Sequence, residues 1–275
     1  MRFAKAARAA NANGQLWPRV VGAAALAVLG ACGVIVLVIP SRASSPPSLD
    51  SRSNWVLASA LPASSDFPAD WGYSLRASLR PTRVSDDDAA SDWRPGVPRA
   101  RYGPPACTTI PKILRHTGAG LAAQQGVDRS TQLSAREAGL MDDDATGRHD
   151  ESGPNASLVI WVVPDGPSRI SNYVEWLGRC GSYQVTNYNQ DGAVKNKRSI
   201  TTVVGARSAN GAEAAVTVTR TFTTPGSRKP PLTYHVSYTA VRGVIFECSI
   251  YDMAGPDRDL VQQRADQTLK RLRAL

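Results

Sequence analysis

The sequence predicts an α+β fold: an antiparallel β-sheet packed against a few helices, preceded by one N-terminal transmembrane helix. Three observations predict it. Residues 20–39, VVGAAALAVLGACGVIVLVI, form an uncharged apolar run near the N-terminus. Beyond residue 150, segments of strand length alternate or run apolar between turn residues. The last twenty residues carry an apolar stripe at helical spacing.

A helix over the apolar run spans about 30 Å, the thickness of a bilayer's hydrocarbon core. Arg2, Lys5, Arg8 and Arg19 precede it, and no acid occurs before Asp50. Basic residues stay on the cytoplasmic side, so residues 1–19 are read as a cytoplasmic tail and 20–40 as the membrane helix. Residues 41–53, SRASSPPSLDSRS, are read as a Ser/Pro-rich linker, and 54–275 as one extracytoplasmic domain. The expected location is the cell membrane, crossed once. A cleaved secretory signal would have a shorter apolar core. Leu29-Gly30-Ala31-Cys32 resembles a bacterial lipobox, but cleavage there would leave seven apolar residues at the start of the mature chain. Ala23, Ala27 and Ala31 share one helix face, the spacing of helices that dimerise in lipid. An alanine-rich chain also produces that spacing by chance.

The formal net charge is +9, and five of the 32 basic residues (Arg2, Lys5, Arg8, Arg19, Arg42) belong to the anchor region. The exported part is therefore only mildly basic, and its compartment excludes chromosomal nucleic acid as a partner. Its tightest basic cluster, Lys195-Asn196-Lys197-Arg198, is read as a turn.

Three cysteines lie beyond the membrane: Cys107, Cys180 and Cys248. An oxidising compartment predicts one disulfide and one leftover thiol. Residues 233–251 alternate on both sides of Val241-Arg242-Gly243 and read as a hairpin. A two-residue turn would set Ser237 opposite Cys248 and mix polar with apolar side chains on one face. A three-residue loop pairs Ala240 with Val244, Tyr238 with Phe246 and Val236 with Cys248, giving one apolar face, and is the expected register. Cys248 is then a buried core thiol, and Cys107 and Cys180 form the bridge.

The remaining elements follow in order. Residues 72–79 suit a strand, and 86–98 a polar loop. Residues 104–116 read as a short helix broken at Pro111. Residues 122–141 are ambiguous, and 142–155 read as surface loop. LVIWVV at 158–163 is a buried strand, followed by a turn that supplies Ser168 as a helix cap. Ile170, Tyr173, Val174 and Leu177 recur at helical spacing up to Cys180. Strands are expected at 182–188, 200–206 and 214–223, with Arg220 of the last towards a rim. A closing helix begins at Pro256 and buries Val261, Ala265, Leu269 and Leu272.

This order of elements, with Trp176-Leu177-Gly178-Arg179-Cys180 ending a helix, resembles the extracytoplasmic sensor domain of PknH-type actinobacterial Ser/Thr kinases and related mycobacterial domains of unknown function. Leu61-Pro62 and Asp66-Phe67-Pro68 are similar to the start of those relatives. The resemblance covers residues 61–275 and implies a fold with a ligand-sized cleft. The kinase sensor domains carry two disulfides, this chain has cysteines for one, and only a short basic tail precedes the membrane run.

No catalytic constellation is legible. His116, His149 and His235 lack metal-ligand spacing, there is no Gly-x-Ser-x-Gly elbow and no phosphate-cradling glycine loop. His116 is placed at a helix end, and His235 on the outer face of its strand. The acid runs 86–88 and 142–144 lack the alternating ligands of a calcium loop. The expectation is a non-catalytic envelope protein, without cofactor or metal, binding a small ligand, a wall component or a protein partner. An accessory subunit of an envelope complex and an envelope hydrolase are the alternatives. Tyr173, Trp176, Tyr183 and Tyr188 are the cleft candidates. Each fits an ordinary core position as well.

Overall fold

The structure, a computed structural model, describes residues 47–83, 96, 98–129, 155–207, 211–228, 230–251 and 253–275. The membrane run, the Ala23/Ala27/Ala31 face, Cys32, both acid runs and His149 lie outside the described residues. Among those described, no helix is long and apolar enough to cross a membrane.

Nine strands form one sheet: β1 (Gly72–Arg83), β2 (Ala100–Gly103), β3 (Gly120–Asp128), β4 (Ala156–Val162), β5 (Ser182–Tyr188), β6 (Val194–Val204), β7 (Ala214–Thr223), β8 (Leu232–Val241) and β9 (Val244–Tyr251). Their spatial order is β1-β3-β4-β9-β8-β7-β6-β5-β2, and every neighbouring pair is antiparallel. Strands β5 to β9 are thus a meander of sequential neighbours. The β3–β4 pair and β1 extend it beyond β9, and β2 extends it beyond β5.

Among the described residues the α-helices are α1 (Asn54–Ala58), α2 (Lys112–Arg115), α3 (Gly166–Cys180) and α4 (Gly255–Ala274). Helix α3 packs on β6, β7 and β8, joined by α2 and a 3-10 turn over Pro105–Thr108. The buried side chains on this side include Val159, Trp161, Ile170, Tyr173, Leu177, Val218, Val236 and Ile245. Helices α1 and α4 supply the opposite side, where Leu57, Val261, Ala265 and Leu272 meet Leu158, Ile160, Phe246, Cys248 and Ile250. Alternate residues of β4 and β9 therefore enter different cores, which explains the continuous apolar run of β4. Helix α4 starts with Pro256 and Asp257 and ends with Arg271 and Arg273, each where the helix dipole favours it. From residue 47 the chain is already packed on the fold, and Leu49 is fully buried.

The large antiparallel sheet with a few helices is as expected, and Cys107 and Cys180 are bonded. The β8–β9 register is not. Ser237 faces Cys248, Tyr238 faces Glu247, Ala240 faces Ile245 and Val241 faces Val244. The turn is the two-residue Arg242-Gly243 form, with φ of 48° and 88°. Both values are positive, as the right-handed twist of a two-residue hairpin requires. Arginine rarely takes that conformation. Here its guanidinium donates through Nε and Nη2 to Pro47 O, and its carbonyl accepts from Leu49 N and Ser48 Oγ. A single apolar face was the wrong criterion, because both faces of this hairpin are covered.

Three smaller expectations also change. Ser168 does not cap α3. The helix starts earlier, with Asp165 at its N-cap and Pro167 in its first turn, and the Asp165 carboxylate accepts from Arg169 Nε at 2.7 Å. Lys195 to Arg198 lie within β6 rather than in a turn, paired to β5 and reinforced by Asn187 Nδ2 donating to Asn196 Oδ1 at 2.8 Å. Arg220 is not at a rim. It is fully buried, its guanidinium 5.1 Å from the centre of the Phe222 ring.

The Cys107–Cys180 bridge ties the 3-10 turn to the end of α3 across a separation of 73 residues. The loop-entropy relation gives a loss of about 4 kcal/mol when a loop of that size is released. Urea unfolding of the Cys107→Ser, Cys180→Ser double variant is expected to show a loss of that order. An unchanged midpoint would contradict the bridge's role.

Candidate functional site

The aromatic cleft candidates fall into two environments. Tyr173 and Trp176 come from the inward face of α3 and Tyr183 from β5, and all three are buried. Trp176 meets Tyr183 edge-on at 5.3 Å, and Tyr173 meets Tyr238 edge-on at 5.9 Å. These contacts hold α3 to the sheet. Tyr188, at the end of β5, is half-buried, with the Arg101 guanidinium 5.6 Å from its ring centre.

The register of β9 aims Glu247 into the α3 side of the sheet. Its Oε2 accepts from Trp161 Nε1 at 3.0 Å and lies 2.9 Å from His116 Nε2. His116 is at the end of α2, as expected, in the left-handed conformation at φ 51°. That backbone is uncommon outside glycine and asparagine. It lets the imidazole stack on Trp161, with ring centres 4.1 Å apart. Beside it, Arg169 Nη1 donates to Thr117 O at 2.7 Å, fastening α3 to the α2 loop. The cavity at this cluster is about 10 Å³, no more than one water needs. An acid and an imidazole are in contact here, but the space for a substrate is missing.

A second recess, of about 150 Å³, opens on the other side of the sheet beside α4. Thr219, His235, Ser237, Cys248 and Gln262 line it. His235 Nδ1 lies 3.2 Å from Thr219 Oγ1, and partial burial, then the charge of Arg258, lowers its imidazole pKa. Burial, with the charges of Glu247 and Asp266, pushes the Cys248 thiol up to about 12. The thiol is protonated at neutral pH and supplies no nucleophile.

The third recess, of about 220 Å³, carries a charged side chain. It lies where β6 begins, β7 ends, β8 begins and β9 ends. Arg198 comes from β6, Phe222 from β7, Leu232 from β8 and Tyr251 from β9, while Thr224, Ser227 and Pro230 come from the β7–β8 loop. Phe222, Leu232 and Tyr251 adjoin the α3-side core. Tyr251 stacks on Tyr234 at 4.8 Å, and Phe222 meets Tyr234 edge-on at 5.8 Å, so the aromatic wall is held rigidly. No carboxylate or imidazole is among these lining residues. Among the described residues, no group of His, Cys, Asp and Glu is arranged to hold a metal ion. Sequence reading missed this site because its walls come from four strand ends. The one available signal was the alternation that puts Phe222 on the face of Val216 and Val218.

No protein-family model and no curated protein matches the sequence. Solved structures similar to it include two mycobacterial proteins. One is the extracellular domain of PknH from Mycobacterium tuberculosis, at 11% identity and TM-score 0.44, covering 84% of this chain and 99% of that one. The other is an uncharacterized protein from Mycobacterium smegmatis, at 9% identity and TM-score 0.39, covering 82% and 99%. The resemblance to the PknH sensor domain read from the sequence is met by these likenesses.

Glu247→Ala removes the acceptor shared by the buried Trp161 indole and the half-buried His116 imidazole and is expected to destabilise the chain by about 1–3 kcal/mol. Glu247→Gln keeps an acceptor oxygen and should cost clearly less. Equal losses on urea unfolding would contradict this, because neither the retained packing nor the retained acceptor oxygen would then contribute.

Proposed function

We propose that the chain is a single-pass membrane protein whose exported domain binds a small ligand without transforming it. The observation that carries this is the recess at Arg198, Phe222, Leu232 and Tyr251: it has room, an aromatic wall and a positive charge, and the described residues that line it include no acid, imidazole or thiol. General acid–base or nucleophilic chemistry needs such groups within hydrogen-bond reach of the substrate. Where an acid and an imidazole do meet, at Glu247 and His116, the cavity is too small to admit a substrate. This favours binding over envelope hydrolysis.

The buried Cys107–Cys180 bridge supports an oxidising compartment. The basic tail and the uncharged run at 20–39 support the same topology, with the N-terminus cytoplasmic. Membrane attachment through this run is the one partner the reading requires. A homodimer through Ala23, Ala27 and Ala31 remains a separate proposal, as does an envelope protein partner.

Two fusions test the topology. A β-lactamase joined after Leu275 is expected to protect intact cells, and a green fluorescent protein at the same place to stay dark when exported unfolded. Cytosolic fluorescence without protection would overturn the compartment. For binding, a fragment screen on the full chain in nanodiscs should yield saturable shifts of amides around the β7–β8 loop. Hits confined to other surfaces would reject this recess as the site.

A further inference from the structure

We infer that the exported domain rests on the bilayer surface through Trp55 and Val56 of α1. This rests on the membrane-anchored reading above and goes beyond it by giving the domain a lipid-facing side. Helix α1 turns Asn54, Leu57 and Ala58 inward, the spacing of one helix face, and leaves Trp55 and Val56 outward. Trp55 is 55% exposed and Val56 38%. Leu57 beneath them is fully buried, so the core is closed without either side chain.

A lone apolar residue on a wet surface needs no explanation. The position of this pair supplies one. Arg52 Nη2 donates to Leu275 O at 2.9 Å, Arg271 Nη1 to Leu61 O at 3.2 Å and Arg264 Nε to Asp66 O at 3.0 Å. Residues 52–66 therefore run antiparallel to α4, starting beside its last turn. That last turn meets the β8–β9 hairpin, where Arg242 Nη1 donates to Arg273 O at 3.3 Å. The same guanidinium donates through Nε to Pro47 O at 2.8 Å. Trp55 thus lies at the end of the domain where the chain enters it.

Seven residues, 40–46, separate the apolar run from Pro47. Fully extended, they span at most about 25 Å. A run held in a bilayer would keep this end of the domain within that reach of the headgroups. On so short a tether the lipid surface is present at high effective concentration, and a weak contact suffices. Tryptophan suits the contact, since its ring is apolar and its N–H bonds polar headgroup atoms. The described charges around α1 and the last turn of α4 are Arg52, Arg242, Lys270, Arg271 and Arg273, against Asp50 and Asp66. This balance favours approach to anionic headgroups.

The test places the full chain in nanodiscs of phosphatidylcholine and phosphatidylglycerol, with a lipid spin-labelled just below its headgroup. Line broadening is read at assigned resonances. The Trp55 indole and the amides of Val56 and Ser59 are expected to broaden at least about threefold more than the amides of Val194 and Thr223, at the opposite end of the sheet. In Trp55→Ser the broadening at Val56 and Ser59 should fall by about threefold or more. Val194→Ser removes a side chain that is 59% exposed and should leave it unchanged. The wild-type pattern stands by itself should a variant misfold. Uniform broadening, broadening centred on another surface, or no change in Trp55→Ser overturns the docking; if the chain still co-purifies with the discs, the membrane reading survives. A chain that does not co-purify with them removes both.

Discussion

The two-residue turn at Arg242-Gly243 sets the register of β8 on β9, and a one-residue slip there would exchange every side chain between two different cores. In the observed register Glu247 and Tyr251 point to the α3 side, while Phe246, Cys248 and Ile250 point to the α4 side. β9 is central in the sheet, paired with β4 as well as β8, so its register passes on to both halves. The turn is held in place by residues 47–49, which cover it and bond its backbone and guanidinium. Glycine at 243 takes the φ of 88° that other residues rarely adopt, and a Cβ there would also sit 2.6 Å from Ser48 Oγ.

From that register follow both polar features of the α3 side. Glu247 finds Trp161 and His116 because β4 runs beside β9 with Ile160 opposite Phe246, bringing Trp161 onto the same face as Glu247. The carboxylate then organises a closed cluster that gives the α2 loop a reason for its strained histidine. Tyr251, four residues further along β9, reaches the same face at the sheet's other end and becomes a wall of the recess. The closed cluster and the open recess thus belong to one strand face, and the difference between them is coverage. Helix α2 and the start of α3 lie over the first; at the second the lining comes from the strands and the β7–β8 loop.

Much of the fold was legible because apolar period and turn chemistry are local. The strands at 182–188 and 214–223, the buried strand ending at Val162, the α3 stripe and the closing helix all follow from such signals. The short strand β2 and helix α1 were not, since four or five residues carry too little pattern. The disulfide was reached through the wrong hairpin register, and it survived because Cys248 is buried on either face of a sheet covered on both sides. Arg220 was misplaced for a related reason: alternation tells which face a side chain takes and says nothing of how deep the cover is. The aromatic cleft candidates on α3 and β5 sit at inward positions of their elements, which is where core residues sit too. The recess had no sequence signature, since Arg198, Phe222, Leu232 and Tyr251 are brought together only by strand order.

The register of the central hairpin can be measured directly from cross-strand proton NOEs in the isotope-labelled chain. Backbone contacts pairing Ser237 with Cys248 and Ala240 with Ile245 are the predicted result. Contacts pairing Val236 with Cys248 and Ala240 with Val244 would contradict it, turn Tyr251 and Glu247 to the opposite face, and dissolve both the closed cluster and the recess.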